Sequence, residues 1–467
     1  MIFTDTIAAI ATPFGVGGIG VIRISGPEAG KIAQRIFSPL PPNGFPSHHQ
    51  FHGKALSPES LEILDDVLLT FFEGPHSFTG EDTLEISCHG SPLILQTILE
   101  AAFRAGARPA EKGEFTRRAY LNNRLDLAQA EAVNDLITAQ TRQGAASALE
   151  RLGGRLSRKI NEIEGQLIDL LARIEASIDF TAEDGVEEES ADYLSELNGI
   201  MDKIRSLAAT YRQGKIERTG FRIVIAGRPN AGKSSLLNRL LGARRAIVAP
   251  QPGTTRDFIE ETADIAGIPV RLTDTAGLRT PADEIEKEGI DFLWEKLEQA
   301  DAILYLVDGS RPRTSEDTDF FGMISRIPHK PLLLVLNKSD LPSQMDEKYP
   351  VADQNTGAMI PPAIRISAKY GDGIETLAAA IRHLALNGNS GESPSVVIAH
   401  AYQKAALEKA HESLHRATEG LSGDTGMPPE LVAFEIHEAI DSLGEITGKT
   451  SSEDILDHIF SHFCIGK

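Results

Sequence analysis

The chain has 467 residues, too many for one compact core, so about three domains are expected. A composition that is 41% hydrophobic and 24% charged excludes a mostly disordered, collagen-like or membrane-embedded protein. The net charge of −21 opposes indiscriminate binding to phosphate backbones, so a nucleic-acid substrate needs a local basic patch or a more basic partner. The opening MIFTDTIAAIATPFG has no basic segment before its short apolar stretch, and no apolar run reaches about 18 residues. Neither a secretory signal nor a membrane anchor is therefore expected, and the expected location is cytoplasmic. Cys88 and Cys464, near opposite ends of the chain, read as reduced thiols.

Residues 1–122 mix short apolar runs with glycine turns. Thr6–Thr12, Gly20–Ile24, Val67–Phe72 and Thr83–Cys88 read as strands and Leu93–Arg104 as a helix, a small α+β domain. Residues 123–219 are expected to be helical. Leu156, Ile160, Ile163, Leu167, Leu171, Ile174 and Ile178 recur every three or four positions and so share one core-facing stripe. The segment Thr181–Asp192, with six acidic residues and no basic one, reads as a solvated loop. In residues 220–386 the apolar runs Phe221–Ala226, Val270–Thr273, Ala302–Val307, Leu332–Leu336 and Ala363–Ile366 alternate with helical patterns such as Ser234–Leu241 and Ile374–Leu384. That alternation predicts a doubly wound, largely parallel sheet. Residues 387–467 turn helical again over Ala401–Leu421 and Pro429–Phe463, so the α/β unit is expected to be inserted into one all-α domain.

The strand Phe221–Ala226 runs into Gly227-Arg-Pro-Asn-Ala-Gly232-Lys233-Ser234 and then a helix, the P-loop pattern in its required context. Asn230, Ala231, Gly232, Lys233, Ser234 and Ser235 are the expected phosphate contacts. Backbone N–H groups and the helix N-terminus converge on the phosphates, Lys233 reaches the β- and γ-phosphates and Ser234 ligates Mg²⁺. Downstream stand Thr254 and Thr255, then Asp274, Thr275, Ala276 and Gly277, then Asn337, Lys338 and Asp340, then Ser367, Ala368 and Lys369. The last three groups follow predicted strands, where open α/β sheets bind ligands. Asp340 selects the base: one carboxylate accepts from guanine N1–H and the 2-amino group, and adenine offers neither donor. The unit is expected to bind GTP. Ras-type enzymes orient the attacking water with a glutamine just after Asp-x-x-Gly, but Leu278 stands here, so the acidic stretch Asp283–Glu286 supplies the candidates. Arg256 and Arg279 are candidate transition-state cations, and Asn230 is a candidate for holding a monovalent metal ion.

Across nearly the whole chain the sequence resembles the MnmE (TrmE) family of bacterial tRNA-modification GTPases. The resemblance rests on Asp5-Thr-Ile with Ala11-Thr-Pro, Arg23-Ile-Ser-Gly26, Ser77-Phe-Thr-Gly-Glu-Asp82, Arg124-Leu-Asp-Leu-Ala-Gln-Ala-Glu131, the GTPase motifs and the terminal Phe463-Cys-Ile-Gly-Lys467. It implies an N-terminal folate-binding and dimer-forming domain, a helical domain and an inserted GTPase domain. It also implies a homodimer that works with the flavoprotein MnmG. Together they add an aminomethyl or carboxymethylaminomethyl group at C5 of the tRNA wobble uridine, using 5,10-methylene-tetrahydrofolate. By the same resemblance GTP hydrolysis depends on K⁺, held by Asn230, Thr254 and the carbonyls of Ala249 and Gln251. Ser234 and Thr255 match the Mg²⁺ ligands, and Glu286 matches the glutamate that orients water. Arg23, Glu85, Arg124 and Lys467 match the folate-binding positions. Read by pattern alone, Glu85 is the solvent face of a strand. Cys464 is a candidate for the modification chemistry, beside three other readings: a structural thiol, a zinc ligand with His458 and His462, and a poorly matching prenylation box. The competing function is a GTP-controlled binding switch without one-carbon chemistry.

Overall fold

The computed structural model describes residues 4–179, 186–243, 260–274, 295–312, 330–344, 363–388, 396–422, 427–450 and 453–467. They form two compact units, one of Met1–Asn134, Arg151–Asp202 and Ala406–Lys467, the other of Asp135–Glu150 and Lys203–Ala405.

The first unit is built on a seven-stranded sheet. Its strands are β1 (Ile7–Ile10), β2 (Ile19–Ser25), β3 (Phe37–Ser38), β4 (His49–Leu56), β5 (Ile63–Phe72), β6 (Thr83–His89) and β7 (Arg108–Pro109), in the order β3-β4-β5-β6-β2-β1-β7. Neighbours run antiparallel except β1 and β7. Period-two alternation sends Ile22, Ile24, Leu69, Leu84 and Ile86 to one face, where Ile32 and Ile36 of the helix Ala29–Ile36 and Leu95 and Ile98 of the helix Pro92–Arg104 cover them. Burying each branched side chain contributes about 1.5–3 kcal/mol. Arg23 and Glu85 alternate to the opposite face. Strand β4 is not among the sequence expectations: in its outer half, His49–His52, three of the four residues are polar and exposed and only Phe51 is half-buried, so the apolar alternation that marks a strand is weak.

The helical part of this unit includes Arg155–Asp179 and Pro429–Thr447, which pack along each other. Leu156, Ile160, Ile163, Leu167, Leu171 and Ile174 are all buried, as their spacing predicts. Two expectations need correction. The acidic stretch 181–192 is not wholly a loop, because the helix Val186–Ala209 begins inside it; negative residues suit a helix N-terminus, whose unpaired N–H groups carry partial positive charge. The expected helix 429–463 is two helices, Pro429–Thr447 and Glu453–Ser461. The first ends where the Gly448 carbonyl accepts a 2.7 Å hydrogen bond from Tyr120 Oη instead of continuing the helical ladder.

The second unit holds a six-stranded sheet of β8 (Phe221–Ala226), β9 (Glu260–Ile265), β10 (Ile268–Asp274), β11 (Ala302–Asp308), β12 (Leu332–Asn337) and β13 (Ile364–Arg365), ordered β13-β12-β11-β8-β10-β9. All neighbours are parallel except the β9–β10 hairpin, whose edge strand the apolar runs did not reveal. The sheet is buried on both faces: Ile223 and Ile225 lie with Leu236, Leu240 and Leu377 on one side, Val224 and Ala226 with Leu297 and Tyr305 on the other. This explains the near-continuous apolar strands. The architecture is therefore an N-terminal α+β domain, an all-α domain and an α/β P-loop domain. No described helix is long and apolar enough to cross a membrane.

Candidate functional site

The P-loop connects β8 to the helix Lys233–Ala243. Gly232 has φ +101°, and a Cβ there would stand 2.2 Å from Asn337 Nδ2, so only glycine fits. Lys233 is 8% exposed, and its Nζ donates to the carbonyls of Gly227 at 2.8 Å and Arg228 at 3.0 Å. The ammonium is thus held over the loop that is expected to take phosphate. Ser234 and Ser235 open the helix on its exposed side, and Asn230 is exposed with φ +65°.

Asn337, at the end of β12, ties two loops together. Its Nδ2 donates to the Ala231 carbonyl at 2.8 Å, and its Oδ1 accepts from the Ala368 N–H at 2.9 Å. Ser367 Oγ donates to Asp340 Oδ1 at 2.7 Å, and Asp340 itself is exposed. Lys338, at φ +65°, forms a 2.6 Å ion pair with Asp308 at the end of β11. Burial pushes the Asp308 carboxyl up, but hydrogen bonds from Lys338 and from the hydroxyl and N–H of Ser310 outweigh it and hold it below the usual carboxylate range. Asp308 joins this cluster without being among the sequence expectations; its signal was the strand end itself, where β10 and β12 also carry their motifs. Thus Asn230, Ala231, Gly232, Lys233, Asn337, Lys338, Asp340, Ser367, Ala368 and Lys369 gather on loops at one edge of the sheet. Asp274 ends β10. Ala249, Gln251, Thr254, Thr255, Thr275, Ala276, Gly277 and Glu286 lie outside the described residues, as do Arg256, Leu278 and Arg279.

A second cluster lies on the open face of the N-terminal sheet. Arg23 and Glu85 are directly opposed on β2 and β6. Arg23 Nε and Nη2 both reach Glu85 Oε1, at 2.9 Å and 2.8 Å, and among the described residues Oε2 makes no hydrogen bond. The guanidinium lies between the rings of Phe78 and Phe115, 5.5 Å and 5.8 Å from their centroids. The C-terminal segment comes to this place as well. Lys112 and Ile465 form a β-bridge, the Cys464 carbonyl accepts from Gly113 N–H at 3.3 Å, and the Lys467 carbonyl accepts from Phe115 N–H at 3.2 Å. Gly466, at φ +94°, passes so close to β1 that a Cβ would meet the Ile10 carbonyl at 2.3 Å. Burial, and then the positive charge of Arg23, hold the half-buried Lys467 ammonium below its ordinary pKa, with Cys464 and Glu85 opposing them.

Among the described residues no hydrogen bond or ion pair joins Arg124 to these three. Its stem runs past Gly80, where a Cβ would meet its Cγ at 3.2 Å, and it borders a cavity of about 470 Å³ with Tyr120, Asn161 and Lys449. Cys464 is exposed, whereas Cys88 is buried, with its thiol pushed up to about 11 by burial and by the nearby charge of Asp65. The His458 and His462 rings lie 4.7 Å apart, and among the described residues no three His, Cys, Asp or Glu side chains are grouped to hold a metal ion.

Two motifs quoted for the family resemblance meet on Arg118, which is fully buried. Its Nη2 donates to Asp5 Oδ1 and Glu114 Oε1, both at 2.9 Å, and its Nη1 donates to both Glu81 oxygens, at 3.2 Å and 3.1 Å. Arg108 adds an ion pair to Asp5 and a bidentate one to Glu114. Burial raises the Glu114 carboxyl, but hydrogen bonds from Arg108, the Glu111 N–H and Arg118 outweigh it and leave the pKa lowered. The network anchors the helix Glu114–Leu121, and with it Phe115, which holds Arg23 through its ring and Lys467 through its N–H.

Residues 6–124 match the family model described as the GTP-binding protein TrmE N-terminus, and residues 127–464 match the MnmE helical domain. Three curated relatives bear the name tRNA modification GTPase MnmE. That of Syntrophus aciditrophicus is 45% identical over 469 residues, covering 99% of both chains. That of Chloroflexus aurantiacus is 46% identical over 464 residues, covering 99% of this chain and all of its own. That of Natranaerobius thermophilus is 43% identical over 464 residues, covering 99% of both.

Proposed function

The chain belongs to the MnmE family of tRNA modification GTPases, and from that premise we propose that its GTP hydrolysis serves modification at C5 of the wobble uridine of certain tRNAs. In this reading a cytoplasmic homodimer, together with the flavoprotein MnmG, adds an aminomethyl or carboxymethylaminomethyl group. The one-carbon unit comes from 5,10-methylene-tetrahydrofolate.

The nucleotide site fits a phosphate group and its cations. Lys233 already points at the loop, held by neutral carbonyls that a phosphate oxygen outcompetes with a full negative charge. Ser234 and Thr255 would hold Mg²⁺, while Asn230, Thr254 and the carbonyls of Ala249 and Gln251 would hold K⁺. When bound, these ions supply positive charge beside the phosphates. Asp340 reads the guanine edge, and Glu286 orients the attacking water.

For folate, Glu85 Oε2 accepts pterin N–H donors, while Arg23, Lys467 and Arg124 suit its carbonyl and carboxylate oxygens. The observation that carries this reading is the convergence of Lys467 with Arg23 and Glu85, because a nucleotide-controlled switch has no use for a pterin site completed by the C-terminal segment. Cys464, exposed two residues from Gly466, is a candidate for the one-carbon step. The test is equilibrium binding of 5-formyltetrahydrofolate, expected for the wild type and lost in Glu85→Ala. In parallel, nucleoside mass spectrometry on tRNA from cells lacking the protein should show C5-modified uridine restored by the wild type and not by Lys233→Ala. No folate binding and an unchanged nucleoside profile would leave a GTP-controlled binding switch.

A further inference from the structure

The helix that begins with Lys233 reaches the loop 367–369 through a residue outside the motifs described above. Arg239 lies six residues on, about 9 Å along the helix axis. Its neighbours Leu236 and Leu240 turn into the core, and Arg239 itself is half-buried on the side facing residues 367–370. Its Nε donates to the Ala368 carbonyl at 3.1 Å, and its Nη2 donates to the Lys369 carbonyl. The stem is confined as well, forming one wall of a cavity of about 420 Å³ with Leu240, Ile265, Ile374 and Ala378.

The peptide units at 368 and 369 are therefore held from two directions. Asn337 takes the N–H of Ala368, and Arg239 takes the carbonyls of Ala368 and Lys369. The same loop begins with Ser367, whose hydroxyl orients Asp340. We propose that Arg239 is a positioning residue for guanine selection, which fixes loop 367–369 and through Ser367 aims the Asp340 carboxylate so that both its oxygens meet the base. This rests on the reading that Asp340 and Ser367–Lys369 take guanine. A planar guanidinium suits the role because it spans two successive carbonyls with fixed donor geometry.

The carboxylate–base pair has two hydrogen bonds, one to N1–H and one to the 2-amino group. A misaimed carboxylate keeps one of them and loses the other. Inosine triphosphate lacks the 2-amino group, so the GTP-to-ITP affinity ratio reads the second bond alone. The full-length Arg239→Met variant, which keeps the stem and loses the donors, is expected to lower that ratio at least about threefold and to speed GDP release about tenfold. In the nucleotide-free protein peptide hydrogen exchange should quicken only around residues 366–371, and Arg239→Lys should fall between wild type and Arg239→Met. Equal loss of GTP and ITP affinity, or no loss of either, overturns the proposal. Arg239→Gln reads the same ratio if Arg239→Met misfolds. Asp340→Asn separates the two layers of the argument. If it gains xanthosine triphosphate while Arg239→Met is silent, only the role of Arg239 fails. If it leaves discrimination untouched, the guanine reading of the loop fails with it.

Discussion

At the edge of the GTPase sheet two of the buried polar side chains reach backbone, Lys233 two loop carbonyls and Asn337 one carbonyl and one N–H, while Ser367 reaches the Asp340 carboxylate. In the N-terminal sheet polar side chains end on one another, Arg118 and Arg108 on Asp5, Glu81 and Glu114. Backbone partners carry dipoles and no net charge, so a phosphate can take Lys233 over without first breaking an ion pair with those groups. Charged partners cancel each other, and a network of that kind organises neighbours instead of recruiting a ligand. The first arrangement suits a receptor, and the second a frame for Arg23 and Lys467. It follows that the two sheets should differ in how they fail when one side chain is removed.

The largest effect is expected from Arg118→Met, which strands buried carboxylates without their partner and should cost about 3–5 kcal/mol in the N-terminal unit. Because the chain is multidomain, the proper readout is hydrogen exchange by peptide rather than one melting temperature. Protection should fall across β1, β2 and β6 and persist in β8 and β11; a uniform loss would erase the distinction between the sheets. Next comes Asn337→Ala, which unpairs the Ala231 carbonyl and the Ala368 N–H and should cost about 1–3 kcal/mol at each group left buried. A Kd for GTP raised at least about tenfold, with folate binding intact, is the expected signature in a titration of both ligands. Gly466→Ala should be milder, about 1–3 kcal/mol of backbone strain, with looser 5-formyltetrahydrofolate binding and normal GTP turnover. Unaltered folate affinity in that variant would detach the C-terminal segment from the site.

Acid gives the smallest and most diagnostic difference. The folded pKa values of Asp5 and Glu114 are lowered from their ordinary 3.8 and 4.5, so their contribution is present above those values and is lost as pH falls through the lower folded ones. Below about pH 4.5 exchange should therefore quicken in the N-terminal sheet, and replacing Glu114 by Gln should flatten that response. A response in which the GTPase sheet opens first would mean that the ion network is not what acid attacks.

The same contrast explains what could be read ahead of the structure. A P-loop is contiguous, its glycines and lysine are fixed by one strand-to-helix turn, and β8, β10, β11 and β12 announce themselves as continuous apolar runs. The Arg23–Glu85–Lys467 cluster is made by strand register and a returning tail, so in the sequence Glu85 is only an outward residue of Leu84-Glu-Ile86, and it was the family resemblance that marked it. Arg118 sits in a helix whose pattern looks exposed, and only Asp5 and Glu81, brought in from elsewhere in the chain, account for its burial. Strands β4 and β9 were missed for a related reason: edge or half-exposed strands lack the apolar signature of buried ones.

The tail that crosses β1 also sets an order of events during synthesis. Arg23, Glu85 and Phe115 leave the ribosome early, yet the Phe115 N–H must wait for the Lys467 carbonyl, and the Gly113 N–H for that of Cys464. At roughly 5–20 residues per second the interval is on the order of tens of seconds. The whole GTPase sheet is translated within it and can fold on the growing chain. The unit whose strands emerge first is the last to be completed, and until then its open face, Arg23 and the Phe115 ring included, is left to whatever else is in the cell.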